Sequence, residues 1–374
     1  MSEPLSSSLL EHFSALPDPR YRPMHPLSDV LVIAICALIC GADSWVAIEA
    51  FGKAKQEWFA TFLRLPHGIP SHDTFGRVFA LLDTQAFAQC FADWSAAVAT
   101  LTAGEVVAID GKTLRRSFDH AAEKAAIHMV SAWASQNRVV LGQIPTDEKS
   151  NEITAIPRLL RLLQLKGCIV TCDAMGCQRA IAQAIVDQEA DYILQVKGNQ
   201  PNLLIGIESF FFEALRDAFD KTPYDYYEMT EKGHGRIETR KVWCSPVKSG
   251  YVDTEAWANL SSFIRVEATR QVGEKKSQEV RYYISSLPGT DAREAAHAVR
   301  RHWSIENGLH WVLDVAFRED DARARIGNAA ANLAILRHLA LTLLKQEASA
   351  KVGIKTKRLK AGWDHHYLLK VLGF

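Results

Sequence analysis

The sequence predicts an α/β protein with an all-helical segment in front and a β-rich insertion towards its C-terminal half. Three observations carry that expectation. Over the first hundred residues, apolar positions recur at helical spacing and are broken by turn signals. From residue 105, short runs rich in β-branched residues alternate with helical patterns, as a layer of strands and helices requires. Between residues 222 and 287, strand-like runs follow one another across polar turns with no helical pattern between them.

The chain has 374 residues, 48% of them hydrophobic and 23% charged, which excludes collagen-like, disulfide-framework and wholly disordered classes. Its longest apolar stretch, residues 30–42, falls short of the roughly 18 residues that a membrane-spanning helix needs and predicts a buried helix instead. The polar opening, residues 1–8, lacks the pattern of an export signal, so a cytoplasmic location is expected. Seven cysteines, odd in number and without a CxxC pair, argue against a disulfide framework and a structural zinc site.

In order along the chain, residues 27–40 form the first strong helical pattern. Trp45, Ile48 and Phe51, then Trp58, Phe59 and Phe62, continue it until Gly52 and the segment Pro66-His67-Gly68-Ile69-Pro70 break it. Ser71 then stands as an N-cap before an amphipathic stretch. Two readings are open here: a plain helical subdomain, or a helix-turn-helix offering Ser71, His72, Thr74 and Arg77 to a DNA groove. Residues 105–110, 139–144, 168–172 and 192–196 read as strands, and residues 153–163 and 178–188 as helices. Residues 237–244, 262–269 and 278–285 read as strands of the insertion, with Gly233-His234-Gly235 as a hairpin connection. Asp291, with Glu294 three residues on, caps a long helix, and a last helix covers residues 328–345.

Net charge is zero, yet from residue 323 onwards ten Lys/Arg face two carboxylates, a local +8, against 33 and 41 in the remainder. Such a tail permits nucleic-acid binding, and a solvated helix face explains it equally.

Two aspartates stand out chemically. Asp110 and Asp173 each end an apolar strand and are followed by a small residue, the position from which α/β sheets present groups to ligands. Alone, each can be a polar strand end. Two such carboxylates together repel unless they share a proton or a hard cation, and a third acid completes an oxygen-rich site for Mg²⁺ or Mn²⁺. Glu306 is the candidate, with His302 and His310 at spacings of four on the same expected helix; a His302, Glu306, His310 zinc cluster is the weaker alternative. Basic and amide residues follow the acids: Lys112, Arg115 and Arg116, then Gln178 and Arg179, then Lys197, Asn199 and Gln200. Phosphodiesters need such donors around each phosphate. The chain has no P-loop, dinucleotide fingerprint or Gly-x-Ser-x-Gly elbow.

Several strings resemble the DDE transposases of the H-repeat-associated insertion-sequence family: Ala108-Ile109-Asp110-Gly111-Lys112, Glu148-Lys149-Ser150-Asn151-Glu152-Ile153, Thr171-Cys172-Asp173-Ala174-Met175-Gly176-Cys177-Gln178, Lys197-Gly198-Asn199-Gln200 and His302-Trp303-Ser304-Ile305-Glu306-Asn307-Gly308-Leu309-His310-Trp311. The likeness continues in Asp18-Pro19-Arg20, in residues 68–75 and in Ala361-Gly362-Trp363-Asp364, so it spans essentially the whole chain. It implies a ribonuclease-H-like mixed-sheet core with a β-rich insertion and a small all-α N-terminal domain. The corresponding division is 1–97 helical, 98–221 first part of the core, 222–288 insertion, 289–346 second part of the core with the glutamate helix, and 347–374 basic tail.

By position, Asp110, Asp173 and Glu306 fall on the family's acidic triad, holding two Mg²⁺ or Mn²⁺ ions. The resemblance implies a DNA transposase that binds element ends as double-stranded DNA and catalyses metal-dependent cleavage and strand transfer, as a homodimer on DNA, with no membrane and no small-molecule cofactor. Lys112, Arg115, Arg116, Gln178, Lys197, Asn199, His302, Asn307 and His310 are the expected DNA contacts. The wider class often carries a Tyr, an Arg and a Lys around its glutamate; here Val299, His302 and Leu313 stand in those places. Alternatives are a host-adapted or degenerate DNA-binding protein or nuclease with the same core that does not transpose. A hydrolase of small phosphate esters fits poorly with the helical front and basic tail.

Overall fold

The computed structural model describes residues 5–118, 125–146, 151–233 and 235–373. His234 of the expected hairpin and residues 148–150 of the Glu148-Lys149-Ser150 string lie outside the described residues. The chain divides into two compact units, Met1–Thr100, Gly111–Asn151 and Glu306–Phe374 forming the first and Leu101–Asp110 with Glu152–Ile305 the second.

Along the chain the helical front contains α1 (Leu5–Ser14), α2 (Leu27–Ile39), α3 (Trp45–Ala54), α4 (Gln56–Phe59), α5 (His72–Leu81) and α6 (Thr84–Val98). Next come β1 (Val106–Thr113), β2 (His128–Ala134), β3 (Val139–Pro145), α7 (Glu152–Leu160), β4 (Ile169–Cys172), α8 (Arg179–Val186), β5 (Asp191–Val196) and α9 (Pro201–Arg216). The insertion supplies β6 (Asp225–Gly233), β7 (Arg236–Pro246), β8 (Ser262–Val272) and β9 (Lys275–Ser285). Five helices close the chain: α10 (Ala292–His302), α11 (Trp311–Phe317), α12 (Ala329–Gln346), α13 (Ile354–Trp363) and α14 (His365–Leu372).

In the first unit, α2 and α12 are buried on every side, residues 29–39 and 329–344 without interruption; α2 is apolar around nearly its whole circumference, whereas α12 also carries Asn332, Arg337, His338 and Thr342 inside. They pack on each other, and α12 also packs on α5, α6 and β3. Ser71 caps α5 as expected, its Oγ accepting the Thr74 N–H at 3.3 Å. The buried Asn332 amide donates to the Phe79 and Leu82 carbonyls at 2.8 and 2.9 Å, and the Asn328 N–H donates to the Ala80 carbonyl at 3.0 Å. Gly327 makes that approach possible: at φ +51° it lies so close that a Cβ would stand 2.6 Å from the Ala80 oxygen. β2 and β3 pair antiparallel, and the Ser95 hydroxyl on α6 donates to the Val140 carbonyl at 3.0 Å.

The expected basic tail is instead α13 and α14, and much of its charge is internal. Lys357, Arg358 and, on α12, Arg337 are buried. Lys357 donates to the Leu344 and Glu347 carbonyls, and Arg358 to the Leu38 carbonyl and Asp43. Burial pushes the Lys345 ammonium down to about 8. Charges that sequence alone places on a solvated face here satisfy helix ends inside the unit.

In the second unit the strand order is β1-β4-β5-β9-β8-β7-β6. The part of β1 in this unit is parallel to β4, and β4 to β5, whereas β5, β9, β8, β7 and β6 pair antiparallel in turn. α10 lies against this sheet through Ala292, Ala295, Ala296 and Val299, which pack with Val106, Ile169, Ile193, Val242 and Ile264. Small residues on the helix allow that close packing. The α/β expectation with its β-rich insertion and helical front thus holds, in the mixed-sheet, ribonuclease-H-like form.

One element departs from expectation. The helix capped by Asp291, whose carboxylate accepts the Glu294 N–H at 2.7 Å, ends at His302. A π-turn over Glu306–His310 then precedes α11. An extra residue in a turn rotates everything after it, so spacings of four no longer mark one face.

Candidate active site

The second unit places both aspartates at matched levels. Ile109 pairs with Cys172 in the parallel register, so Asp110 and Asp173 stand at matched levels; Asp173 follows the end of β4, whereas β1 runs on to Thr113, so Asp110 lies within its strand and does not end it as expected. The segment after Asp173 turns sharply: its Oδ1 accepts the N–H groups of Met175 at 2.9 Å and Gly176 at 3.3 Å. Gly176 is required by this turn, since a Cβ there would meet the Cys172 Cβ at 2.5 Å. With Oδ1 occupied by the turn, Oδ2 is the oxygen left to meet a ligand.

Burial raises the Asp173 pKa, and the negative charges of Glu152 and Asp110 raise it further against the two N–H donors. Glu152, at the start of α7, is the residue that sequence reasoning quoted without giving it a role. Its signal lay in the shared string Asn151-Glu152-Ile153, but only tertiary structure brings its charge to bear on Asp173.

His302, at the end of α10, is linked through Nδ1 to the Thr171 hydroxyl on β4 at 3.0 Å. Burial lowers its pKa although Asp110 and Asp173 pull the other way. The imidazole is therefore neutral near pH 7 and adds no positive charge to the pair. Asn199 donates to the Ala174 carbonyl at 2.7 Å, Gln200 to the Cys177 carbonyl at 3.0 Å, and Gln178 to the Met175 carbonyl at 3.3 Å. These amides brace the turn that carries Asp173. Lys197 is exposed beside them.

In the first unit, Glu306 and Asn307 are exposed at the start of the π-turn, whereas His310 is buried at its end. Ligand atoms of Glu306 and His310 lie within 4.8 Å of one another. His302, Glu306 and His310 do not form one helical face, because the helix ends at His302 and the π-turn intervenes; the expected single-helix zinc set is corrected on that ground.

Lys112 is also placed differently from its expected role. Its ammonium is 13% exposed and meets Asp314, Glu319 at 2.8 Å and Asp320 at 3.6 Å. Burial works against this ammonium, but Glu319 and Asp314 outweigh it and hold its pKa above the ordinary value. Glu319 is fully buried, yet Lys112, Arg337 and His338 hold its pKa below the ordinary value against desolvation. Arg115 and Arg116 reach solvent, with Asp320 at 3.1 Å and Asp321 at 3.6 Å as neighbours.

In the second unit Asp110 and Asp173 are hard oxygen donors, with Glu152 near by; in the first, Glu306 offers an oxygen and His310 a nitrogen. Among the described residues no lysine or arginine ion pair engages Asp173. Such a donor set fits Mg²⁺ or Mn²⁺ better than a soft metal.

Comparison with known proteins identifies the family. The family described as "Transposase DDE domain" matches residues 102–343, and the one described as "DDE_Tnp_1-associated" matches residues 10–95. The chain is 46% identical to YncI of Escherichia coli O157:H7, over 98% of this chain and 94% of that protein. It is 42% identical to the H repeat-associated YhhI of Escherichia coli K12, over 97% of each. Both relatives carry transposase names given provisionally. Among solved structures, the piggyBac transposase synaptic complex with hairpin DNA aligns over 98% of this chain and 78% of that chain, at a TM-score of 0.43 and 11% identity.

Proposed function

The chain belongs to the H-repeat-associated DDE transposases, and on that premise we propose that it binds the ends of its element as duplex DNA, cleaves them in a metal-dependent reaction and joins them to target DNA. The observation that carries the reading is the matched placement of Asp110 and Asp173 on the adjacent parallel strands β1 and β4, close enough that the charge of Asp110 helps to raise the Asp173 pKa. Asp110, Asp173 and Glu306 are the residues that would hold Mg²⁺ or Mn²⁺. The bound ions supply Lewis acidity, activating the attacking oxygen and stabilising the leaving one in an in-line displacement.

The chain's own groups prepare that site. The Met175 and Gly176 N–H groups fix Asp173 in one orientation. His302, neutral and tied to Thr171, holds α10 against β4 without cancelling the charge that attracts a cation. Arg115, Arg116, Lys197 and Asn307 are exposed and suited to meet DNA phosphates. Hydrolysis of a phosphodiester at the element end frees a 3′-hydroxyl, and that hydroxyl displaces a 3′ oxygen in target DNA. Two ends must be held together for joining, so the working form is a homodimer on DNA.

The test is incubation of the purified protein with labelled duplex carrying the ends that flank its gene, with Mg²⁺ or with chelator, beside Asp110→Asn. Metal-dependent nicking and joining, both lost in Asp110→Asn with binding retained, is the expected result. Nicking without joining gives a nuclease instead, binding without either gives a non-catalytic DNA-binding protein, and an Asp110→Asn protein that still cuts removes Asp110 from the site.

A further inference from the structure

A cleft of about 570 Å³ lies wholly within the first unit, lined among others by Asp43, Trp45, His72, Arg318, Asp321 and Arg323. Its two walls are fixed. On one side, Trp45 stacks on Phe79, ring centroids 5.2 Å apart and planes 3° from parallel, and His72 is held at the start of α5 by Glu49, which accepts both its N–H at 2.7 Å and its Nδ1 at 2.6 Å. The other side is the segment between α11 and α12, tied to α5 through Asn328 and Asn332. Arg318 begins that segment in the left-handed conformation, φ 50° and ψ 41°, a backbone cost that a non-glycine residue bears only where its surroundings impose it.

The lining itself carries two arginines, Arg318 and Arg323, against two aspartates, Asp43 and Asp321, and further guanidinium groups stand behind it. Asp321 is met by Arg318 at 3.1 Å and Arg116 at 3.6 Å. Asp43 is held by Arg358 and lies in the field of Arg337 and Arg318 as well. Arg337 is one helical turn along α12 from Leu333, a lining residue, and is 1% exposed. Its nearest carboxylate oxygen, on Glu319, is 4.0 Å away, and its Nε and Nη2 have no hydrogen-bond partner. Arg323 is exposed and makes no ion pair among the described residues. Each carboxylate of the cleft thus already has more than one guanidinium, and further guanidinium charge remains.

A surplus of arginine on a rigid, solvent-open wall suits an anion that guanidinium groups can grip in a fork, and phosphate is the anion that such geometry recognises best. We propose that this cleft seats a backbone phosphate of duplex DNA between Arg318 and Arg323, giving the first unit a DNA contact separate from the acidic residues. The inference rests on the reading of the protein as DNA-binding. It names the segment after α11 as the DNA-facing element, whereas sequence alone directs attention to α5.

The test measures the salt dependence of duplex binding by fluorescence anisotropy, using the full chain, Arg318→Gln, Arg323→Gln and Lys166→Gln. Lys166 is 78% exposed, belongs to the second unit and pairs only with Glu189, so it controls for the loss of one charge. Each phosphate contact contributes about 0.9 to the slope of log affinity against log salt, so each arginine variant is expected to lower the slope by about 0.9 and the lysine variant to leave it unchanged. Thermal denaturation curves that coincide with the parent's separate this effect from misfolding, and Arg323→Gln, outside the left-handed position, serves if Arg318→Gln does not fold. Parental slopes in both arginine variants, or an equal fall in Lys166→Gln, overturn the proposal while leaving the DNA-binding reading in place. A parent chain that binds no duplex at all overturns both.

Discussion

Two acidic clusters in this molecule are built from the same side chains and are put to opposite uses. In the second unit, Asp173 is partly buried beside the negative charges of Asp110 and Glu152, and its pKa is raised. In the first unit, Glu319 is more deeply buried still, yet its pKa is lowered, because Lys112, Arg337 and His338 surround it. Desolvation acts on both in the same direction, so the difference lies in the counter-charge that the fold provides. Glu319 is answered by Lys112, whereas Asp173 has no lysine or arginine ion pair among the described residues and, on the proposed reading, meets a cation from outside. Lys112 makes the contrast sharp, since it follows Asp110 by two residues and serves the other cluster.

That comparison can be broken most directly at Asp173. Asp173→Asn is expected to lower metal-dependent nicking by on the order of 10³-fold, with duplex affinity retained, because it removes a charge used only with the cation. Calorimetric titration of Mn²⁺ into parent and variant checks the same point without turnover, and an unchanged metal affinity would show that Asp173 holds no ion. Next in size is Lys112→Met, which leaves Glu319 buried without its closest cation. A loss of about 3 kcal/mol in urea-unfolding stability is expected, and Glu319→Gln added to it should recover part of the loss. If the single substitution leaves stability unchanged, the first-unit cluster is not held by its counter-charge.

A smaller effect concerns pH. His338 is completely buried, and burial pushes its pKa down to about 3 despite the attraction of Glu319. The unfolded side chain titrates near 6.5, so below that pH the unfolded state binds a proton that the folded state refuses. This contribution to stability is complete above about pH 6.5 and falls by about 1.4 kcal/mol per pH unit beneath it. The buried His302, whose pKa is also lowered, adds to the loss in the same direction. Urea midpoints taken at about pH 7 and pH 5 should therefore differ less in His338→Gln than in the parent, and an equal difference would mean that His338 is protonated in the fold. The smallest effect is expected at Arg115, whose side chain is 80% exposed and whose pairing with Asp320 is a surface contact. Arg115→Gln should change unfolding stability by less than about 0.5 kcal/mol while weakening duplex binding, and a large stability loss would place Arg115 with the structural cluster.

Legibility followed the range of the forces involved. Strands β3, β4 and β5 are short apolar runs bounded by turn signals, and each is read from sequence to within a residue; β1 is found as well, but it runs three residues past its expected end, through the polar Gly111-Lys112-Thr113. β2, whose His128-Met129-Val130-Ser131-Ala132-Trp133-Ala134 run lacks alternation, was not predicted, nor was the edge strand β6, rich in charge. α9, α13 and α14 were missed as well; the first has exposed Ile205 and Phe212 that blur its apolar face, and the other two hide behind a basic composition. The Ser71 and Asp291 caps were legible because a cap is a local hydrogen bond within three residues.

The sequence by itself determined the α/β class, the strand end before Asp173 and the family, because periodicity, strand termini and long shared strings are local and survive reading one residue at a time. Only tertiary structure decided that Lys112 answers Asp314 and Glu319, that Arg337, Lys357 and Arg358 are internal, that Glu152 acts on Asp173, and that α10 ends at His302 with a π-turn over Glu306–His310. Those outcomes depend on which charges come within a few ångströms after folding, and Coulomb and desolvation energies are set by distance and burial in space, which spacing along the chain does not encode.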